Sequence, residues 1–84
     1  MTSQYKHAVK LVGFSEDRKG ELVNYLKQLH PREGMDYFNA LLKELEAGGE
    51  RIIHKTNSIA DAHRTVFTIH SHGGYSEVIE DFNA

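Results

Sequence analysis

The stretch GFSEDRKGELVNYLKQL, residues 13–29, predicts the fold of this chain most directly. Its apolar residues recur at the i, i+3, i+4, i+7 spacing that is typical of one helix face: Leu22, Tyr25, Leu26 and Leu29, with Val23 beside them. Ser15 precedes them as a candidate N-cap, and Glu16 and Asp17 place negative charge where the helix dipole favours it. We therefore predict a helix from Glu16 to Leu29, against which the rest of the chain packs.

The chain has 84 residues, the length of one domain, and we predict a single domain over residues 1–84 with loose ends at 1–4 and 81–84. It contains no cysteine, which excludes disulfides and thiolate chemistry and fits a reducing compartment. No apolar run reaches the ~18 residues needed to span a bilayer, and the polar N-terminus lacks a signal-peptide core. We expect a cytoplasmic protein with no membrane partner.

The charge balance bears on nucleic acid as a partner. Ten basic and twelve acidic residues give a net charge of -2. A protein that binds nucleic acid through bulk charge needs a basic face, so this composition argues against that class. A local basic patch stays open as an alternative.

The segments around the first helix predict two strands and a second helix. Tyr5–Val12 alternates between apolar and polar residues, the pattern of a strand. Pro31 breaks the chain after the first helix, because proline cannot donate to a helical ladder. Over Met35–Ala47 the apolar residues again step by three and four: Phe38, Leu41, Leu42 and Leu45. Gly48 suits the end of this helix, and the short β-branched segment Arg51–His54 predicts the second strand.

Residues 58–72 admit two interpretations. Thr65–Ile69 has strong strand propensity and, with the glycines that follow it, is compatible with a hairpin. Ser58 and Asp61, however, have the layout of a capping box, and an apolar stripe follows at helical spacing: Ile59, Ala62, Val66 and Ile69. Gly73 lies where a C-cap is needed. Because the N-terminal cap, the apolar stripe and the C-terminal glycine all agree with a helix, we predict a third helix over residues 58–72. A last strand follows over Tyr75–Glu80.

The predicted order is strand, helix, helix, strand, helix, strand. The simplest packing for this order is a three-stranded antiparallel sheet with the helices on one face, an α/β protein of the α+β type. No repeat or low-complexity segment interrupts it.

This order of elements resembles the C-terminal domain of the bacterial ribosomal stalk protein, over about Val9 to Val78. The most specific match is a spacing near the end of that domain, where Ser, Ala, Leu and Gly are separated by four, seven and four residues. The same spacings occur here at Ser58, Ala62, Ile69 and Gly73. The adaptor that delivers N-degron substrates to Clp proteases has a similar order of elements, but its acidic pair after strand one and its helix-two histidine are not matched.

The resemblance implies a protein-binding role. In the stalk family a basic and apolar surface on helix one binds translation-factor GTPases. The positions that correspond to it here are Arg18, Lys19, Val23 and Lys27. Asn24 and Asp36 depart from the family, because a lysine is expected at each. We therefore expect a small protein–protein interaction module that binds a partner through helix one, with a ribosome- or RNA-associated factor as the alternative.

Histidines provide a second alternative, a metal site at the end of helix three. His63, His70 and His72 are the candidates, because neutral imidazole is a common transition-metal ligand. Their spacing matches no recognised site motif, and solvent exposure near a helix C-terminus is the simpler interpretation. No cofactor motif or catalytic arrangement is present, so the sequence argues against an enzyme. Phe14, Tyr37 and Phe67 fall outside the neatest apolar stripes. An edge of the core is their simplest role, and an anchor for a partner is the alternative.

Overall fold

A computed structural model describes residues 5–82. Its elements are β1 (His7–Phe14), α1 (Lys19–Leu29), α2 (Met35–Glu46), β2 (Arg51–Thr56), α3 (Ile59–Ser71) and β3 (Gly74–Ile79). The three strands form one antiparallel sheet, so the predicted fold class is confirmed. The predicted loose ends at 1–4 and 83–84 lie outside the described residues.

The first strand occupies the centre of the sheet, in the order β2-β1-β3. Leu11 pairs with Arg51 on one side and Ser76 on the other. Toward β2, Val9 pairs with His54 and the next residue, Lys10, pairs with Ile52. Ile53 is therefore the extra residue of a β-bulge in β2, which leaves it outside the regular ladder. Both β2 and β3 are edge strands.

One hydrophobic core lies between the sheet and the helices. It includes Val9 and Leu11 from β1, while the intervening Lys10 is ion-paired and partly exposed on the opposite face. This alternation shows that the helices cover a single face of the sheet. The helices contribute most of their predicted stripes to the core: Leu22, Val23, Leu26, Phe38, Leu41, Leu42, Leu45, Ala62 and Ile69. Tyr25, Leu29 and Val66 are only partly buried against it, and Ile59, predicted in the stripe of helix three, is exposed.

Helix starts follow the capping chemistry in one case and depart from it in another. The hydroxyl of Ser58 accepts a hydrogen bond of 3.1 Å from the main-chain N–H of Asp61, which confirms the predicted cap and the helical interpretation of residues 58–72. Ser15 makes no such bond, so its prediction as the cap of helix one is wrong. A short 3₁₀ turn, Glu16–Arg18, comes first, and α1 begins only at Lys19.

After β3 the chain remains attached to the sheet. The main-chain N–H of Phe82 donates to the carbonyl oxygen of Lys6 across 2.9 Å, and its ring lies 5.4 Å from the ammonium nitrogen of Lys55. The predicted loose tail therefore does not begin at Asp81. Within residues 5–82, no helix combines the length and the apolar character that crossing a bilayer requires.

Candidate functional site

The first of the predicted helix-one residues, Arg18, is engaged within the fold. Its guanidinium pairs with Glu21 at 2.8 Å and also donates to the main-chain carbonyl oxygen of Ser71, at the end of α3. The hydrogen bond from Arg18 holds the pKa of the Glu21 carboxyl below its usual value. Arg18 therefore joins the start of α1 to the end of α3 through its Nε and one of its two terminal nitrogens.

The other three predicted residues do not share one environment. Lys19 is exposed but pairs with Glu16 at 3.0 Å. Val23 is only 8% exposed and belongs to the core, so it offers little surface to a partner. Lys27 is exposed, and no carboxylate of residues 5–82 lies within ion-pair distance of it. The face of α1 thus carries one unpaired cation rather than a continuous basic and apolar surface.

The predicted histidines separate into two groups. His63 and His70 line the same groove beside β3. His72 lies elsewhere: its ring stacks on Tyr25 at 5.1 Å, and its Nδ1 lies 2.8 Å from the carbonyl oxygen of Thr68. Across residues 5–82 no three histidine, aspartate or glutamate side chains are close enough together to hold a metal ion. The structure therefore does not bring the three predicted histidines into one site.

An apolar groove lies beside the edge strand β3. We call it the α3–β3 groove; it has a volume of about 330 Å3 and is lined by His63, Val66, Phe67, His70, Tyr75 and Ser76. Phe67 is 72% exposed and Tyr75 is 47% exposed. Large aromatic side chains at such exposure are typical anchors for a binding partner.

A polar atom in this groove lacks a partner. The hydroxyl oxygen of Ser76 is buried, and no group within residues 5–82 makes a hydrogen bond to it. A buried hydroxyl without a partner costs about 1–3 kcal/mol. Because this hydroxyl is enclosed, the exposed aromatic side chains are what the α3–β3 groove offers to a partner.

The two edges of the sheet differ in protection. At the β2 edge, the ring Nε2 of His30 donates to the main-chain carbonyl oxygen of Ile53, the bulged residue, across 2.8 Å. Bulges and covering side chains are common ways to prevent an edge from pairing with another chain. The β3 strand has six residues with none inserted and, among the described residues, pairs only with β1. The open edge therefore lies directly beside the α3–β3 groove.

Charge on the outer face of β3 is acidic. Glu77 has a side chain that is 63% exposed, and its carboxylate lies 3.8 Å from the ammonium nitrogen of Lys10. Lys10 is closer to Glu50, at 2.9 Å, and this hydrogen bond is the main reason that the pKa of Lys10 is raised. Glu77 is therefore only weakly compensated. Glu80 and Asp81, just beyond the strand, are also exposed.

A histidine–aspartate pair lies on the other side of the molecule. His54 Nε2 is 2.8 Å from a carboxylate oxygen of Asp61, in the first turn of α3. The hydrogen bond from His54 is the main cause that holds the pKa of Asp61 below its usual value. Such a pair can orient an imidazole for proton transfer, but no hydroxyl of residues 5–82 is hydrogen-bonded to its other ring nitrogen. The pair serves to attach β2 to α3.

Sequence reasoning did not identify the groove as a binding surface: it named His63 and His70 only as candidate metal ligands, although Phe67 gave a signal. Phe67 lies outside the apolar stripe of helix three, but Phe14 and Tyr37 gave the same signal and pack against the core. Tyr75 and Ser76 gave no such signal, because their exposure depends on which strand forms the edge of the sheet.

Comparison of the chain with protein-family models, with curated proteins and with solved structures finds no match.

Proposed function

We propose that this chain is a small protein-binding module and that it contacts its partner through the α3–β3 groove. The observation that carries the proposal is the position of Phe67, whose side chain is 72% exposed beside an unpaired edge strand. A solvated helix face has no need of a phenylalanine, whereas aromatic anchors supply much of the energy of protein interfaces. The nearby Tyr75 extends the apolar surface.

Helix one is the competing surface. The sequence favours it through Arg18, Lys19, Val23 and Lys27, and the resemblance to the stalk domain supports the same face. Its lone unpaired Lys27 and its buried Val23 provide less to bind than the groove does. A rim lysine of this kind mainly affects the rate of association, not the strength of the final complex.

Other properties of the chain support a protein partner in the cytoplasm. The absence of cysteine fits a reducing compartment, and the net charge of -2 does not favour nucleic acid. The resemblance to the stalk domain, which binds protein factors, points to the same class of partner. A ribosome-associated role is compatible with this proposal, because it also acts through protein contacts.

The test compares the two surfaces by cross-linking. A photo-reactive amino acid is placed at Phe67 in one variant and at Lys27 in another, both in the full chain, and adducts formed in cell extract are identified by mass spectrometry. The purified partner is then titrated with the wild type, with Phe67→Ser and with the double variant Lys19→Glu, Lys27→Glu. We expect adducts from position 67, and an affinity reduced at least about tenfold by Phe67→Ser alone.

Two results would contradict the proposal. If the double variant weakens binding and Phe67→Ser does not, the contact surface is helix one. If neither position yields a specific adduct, the chain does not act as a protein-binding module. Circular dichroism of each variant shows whether the comparison is made between folded proteins.

A further inference from the structure

We propose that the open edge of β3 binds an extended segment of the partner by strand addition, and that this segment alternates apolar and basic residues. This inference rests on the proposed function and specifies the chemistry of the partner. It follows from the main-chain groups of the edge, from the groove on one side of it and from the acidic residues on the other.

The main-chain groups of β3 supply the first part of the argument. In an antiparallel sheet, each edge strand directs half of its N–H and C=O groups away from its neighbour, where another strand can bind them. At the β2 edge the bulge at Ile53 and the bond from His30 interrupt this row. The ladder between β1 and β3 also has a register shift, but its extra residue lies in β1, between Leu11 and Gly13. No residue is inserted in β3 itself, so this edge is the better template.

The groove supplies the apolar positions of the segment. Ser76 pairs with the core residue Leu11 and therefore faces the helices. Side chains of an added strand alternate between the two faces of the sheet, so every second one would enter the α3–β3 groove beside Phe67. An apolar side chain at such a position would cover the exposed ring of Phe67.

Charge supplies the basic positions. Glu77 faces the other side of the sheet, where it is 63% exposed and only weakly compensated by Lys10. A residue directly opposite it on an added strand has its β-carbon about 4.5–5.5 Å away, so lysine or arginine is favoured there and glutamate is not. In an antiparallel pair of two copies centred on Glu77, one Glu77 would lie directly opposite the other, and like charges so placed are destabilising. Charge therefore favours a basic partner over self-association.

The experiment uses two end-blocked octapeptides at millimolar concentration, one alternating valine with lysine and one alternating valine with glutamate. Each is added to the isotope-labelled full chain, and amide hydrogen exchange is followed by NMR. We expect the lysine peptide to slow exchange within residues 74–79 and to bind more tightly than the glutamate peptide. In Glu77→Lys the preference should reverse, with a change of about three- to tenfold in affinity for each peptide. Glu33→Lys, in the exposed α1–α2 loop, makes the same change in net charge and should keep the original preference.

The alternatives give different results. Peptide binding that perturbs His63–His70 without slowing exchange in β3 would overturn strand addition, as would binding of neither peptide. In both cases a Phe67-dependent cross-link to a protein would leave the proposed function intact. Slowed exchange in β3 that rises with protein concentration in the absence of peptide would identify a second copy as the occupant, and would also overturn the inference.

Discussion

The side chain of Arg18 lies directly against Gly73, so closely that a β-carbon added at residue 73 would stand 2.5 Å from the β-carbon of Arg18. Gly73 has a positive φ of 86°, in the left-handed region, and its carbonyl oxygen accepts a hydrogen bond of 2.7 Å from the N–H of Ser15. The guanidinium of Arg18 extends to the carbonyl oxygen of Ser71. The turn between α3 and β3 is therefore closed by the residues that precede α1.

Replacement of Gly73 by alanine should be costly for two separate reasons. A non-glycine residue at positive φ costs of order 1–3 kcal/mol, and the added methyl group would also collide with Arg18. The matched control is Gly48→Ala, because Gly48 has a φ of 89° but a methyl group added there would meet no atom within 4 Å. Urea denaturation should show the larger loss for Gly73→Ala. Equal losses would mean that the contact with Arg18 adds nothing.

Loss of the Ser58 cap should weaken α3. Ser58→Ala removes the acceptor for the N–H of Asp61, and we expect a loss of about 0.5–2 kcal/mol in the free energy of unfolding. Ser15→Ala is the control, since Ser15 makes no side-chain capping bond and its replacement should cost less than about 0.5 kcal/mol. The same urea titration measures both. A larger effect at Ser15 would contradict the assignment of the caps.

Removal of the Phe67 ring should leave stability nearly unchanged. The side chain is 72% exposed, and serine has a similar helix propensity, so Phe67→Ser should change the free energy of unfolding by less than about 0.5–1 kcal/mol. Phe38→Ala, at a fully buried position, should cost about 3–5 kcal/mol. Thermal and urea unfolding distinguish the two. Marked destabilisation by Phe67→Ser would show that the ring serves the fold.

The pair of His54 and Asp61 predicts how stability depends on acid. The folded state holds the pKa of Asp61 below its unfolded value of about 4, so the stability that this carboxylate contributes is present above pH 4. This stability is lost as the pH falls through the folded pKa, because the carboxyl group of Asp61 is then protonated in both the folded and the unfolded state. The urea midpoints of the wild type and Asp61→Asn should therefore begin to converge as the pH falls below about 4, and should continue to converge as it passes through the folded pKa of Asp61.

A control separates this effect from general acid denaturation. Glu33→Gln removes an exposed carboxylate in the α1–α2 loop that makes no ion pair within residues 5–82. The urea midpoint of Glu33→Gln should stay close to that of the wild type at every pH. A difference between wild type and Asp61→Asn that does not shrink in acid would contradict the stabilising role of the charged carboxylate.

Folding should not depend on a metal ion. The core is formed by apolar side chains from every helix and from the sheet, and no metal-binding group of three ligands occurs in residues 5–82. Circular dichroism after exhaustive chelation should keep the helical signal and a cooperative thermal transition. Unfolding in the presence of chelator would contradict this, and would return attention to His63 and His70.

Much of the fold could be predicted because its signals are local. A helix one turn long already brings residues three and four apart onto one face, so the stripe beginning at Leu22 and the cap at Ser58 specify their helices without distant contacts. The same kind of stripe and cap decides between helix and hairpin for residues 58–72, since Thr65–Ile69 alone has the composition of a strand. The capping prediction was wrong at Ser15, where a 3₁₀ turn precedes the helix.

The sequence by itself therefore determined the order and type of the elements, through periodicity and capping that act within about four residues. Only the tertiary structure decided which surfaces remain available, because exposure depends on residues far apart in the chain. Packing buried Val23, engaged Arg18 with Ser71 and placed His72 on Tyr25. Strand order made β3 an open edge beside Phe67, a relationship that no local pattern contains.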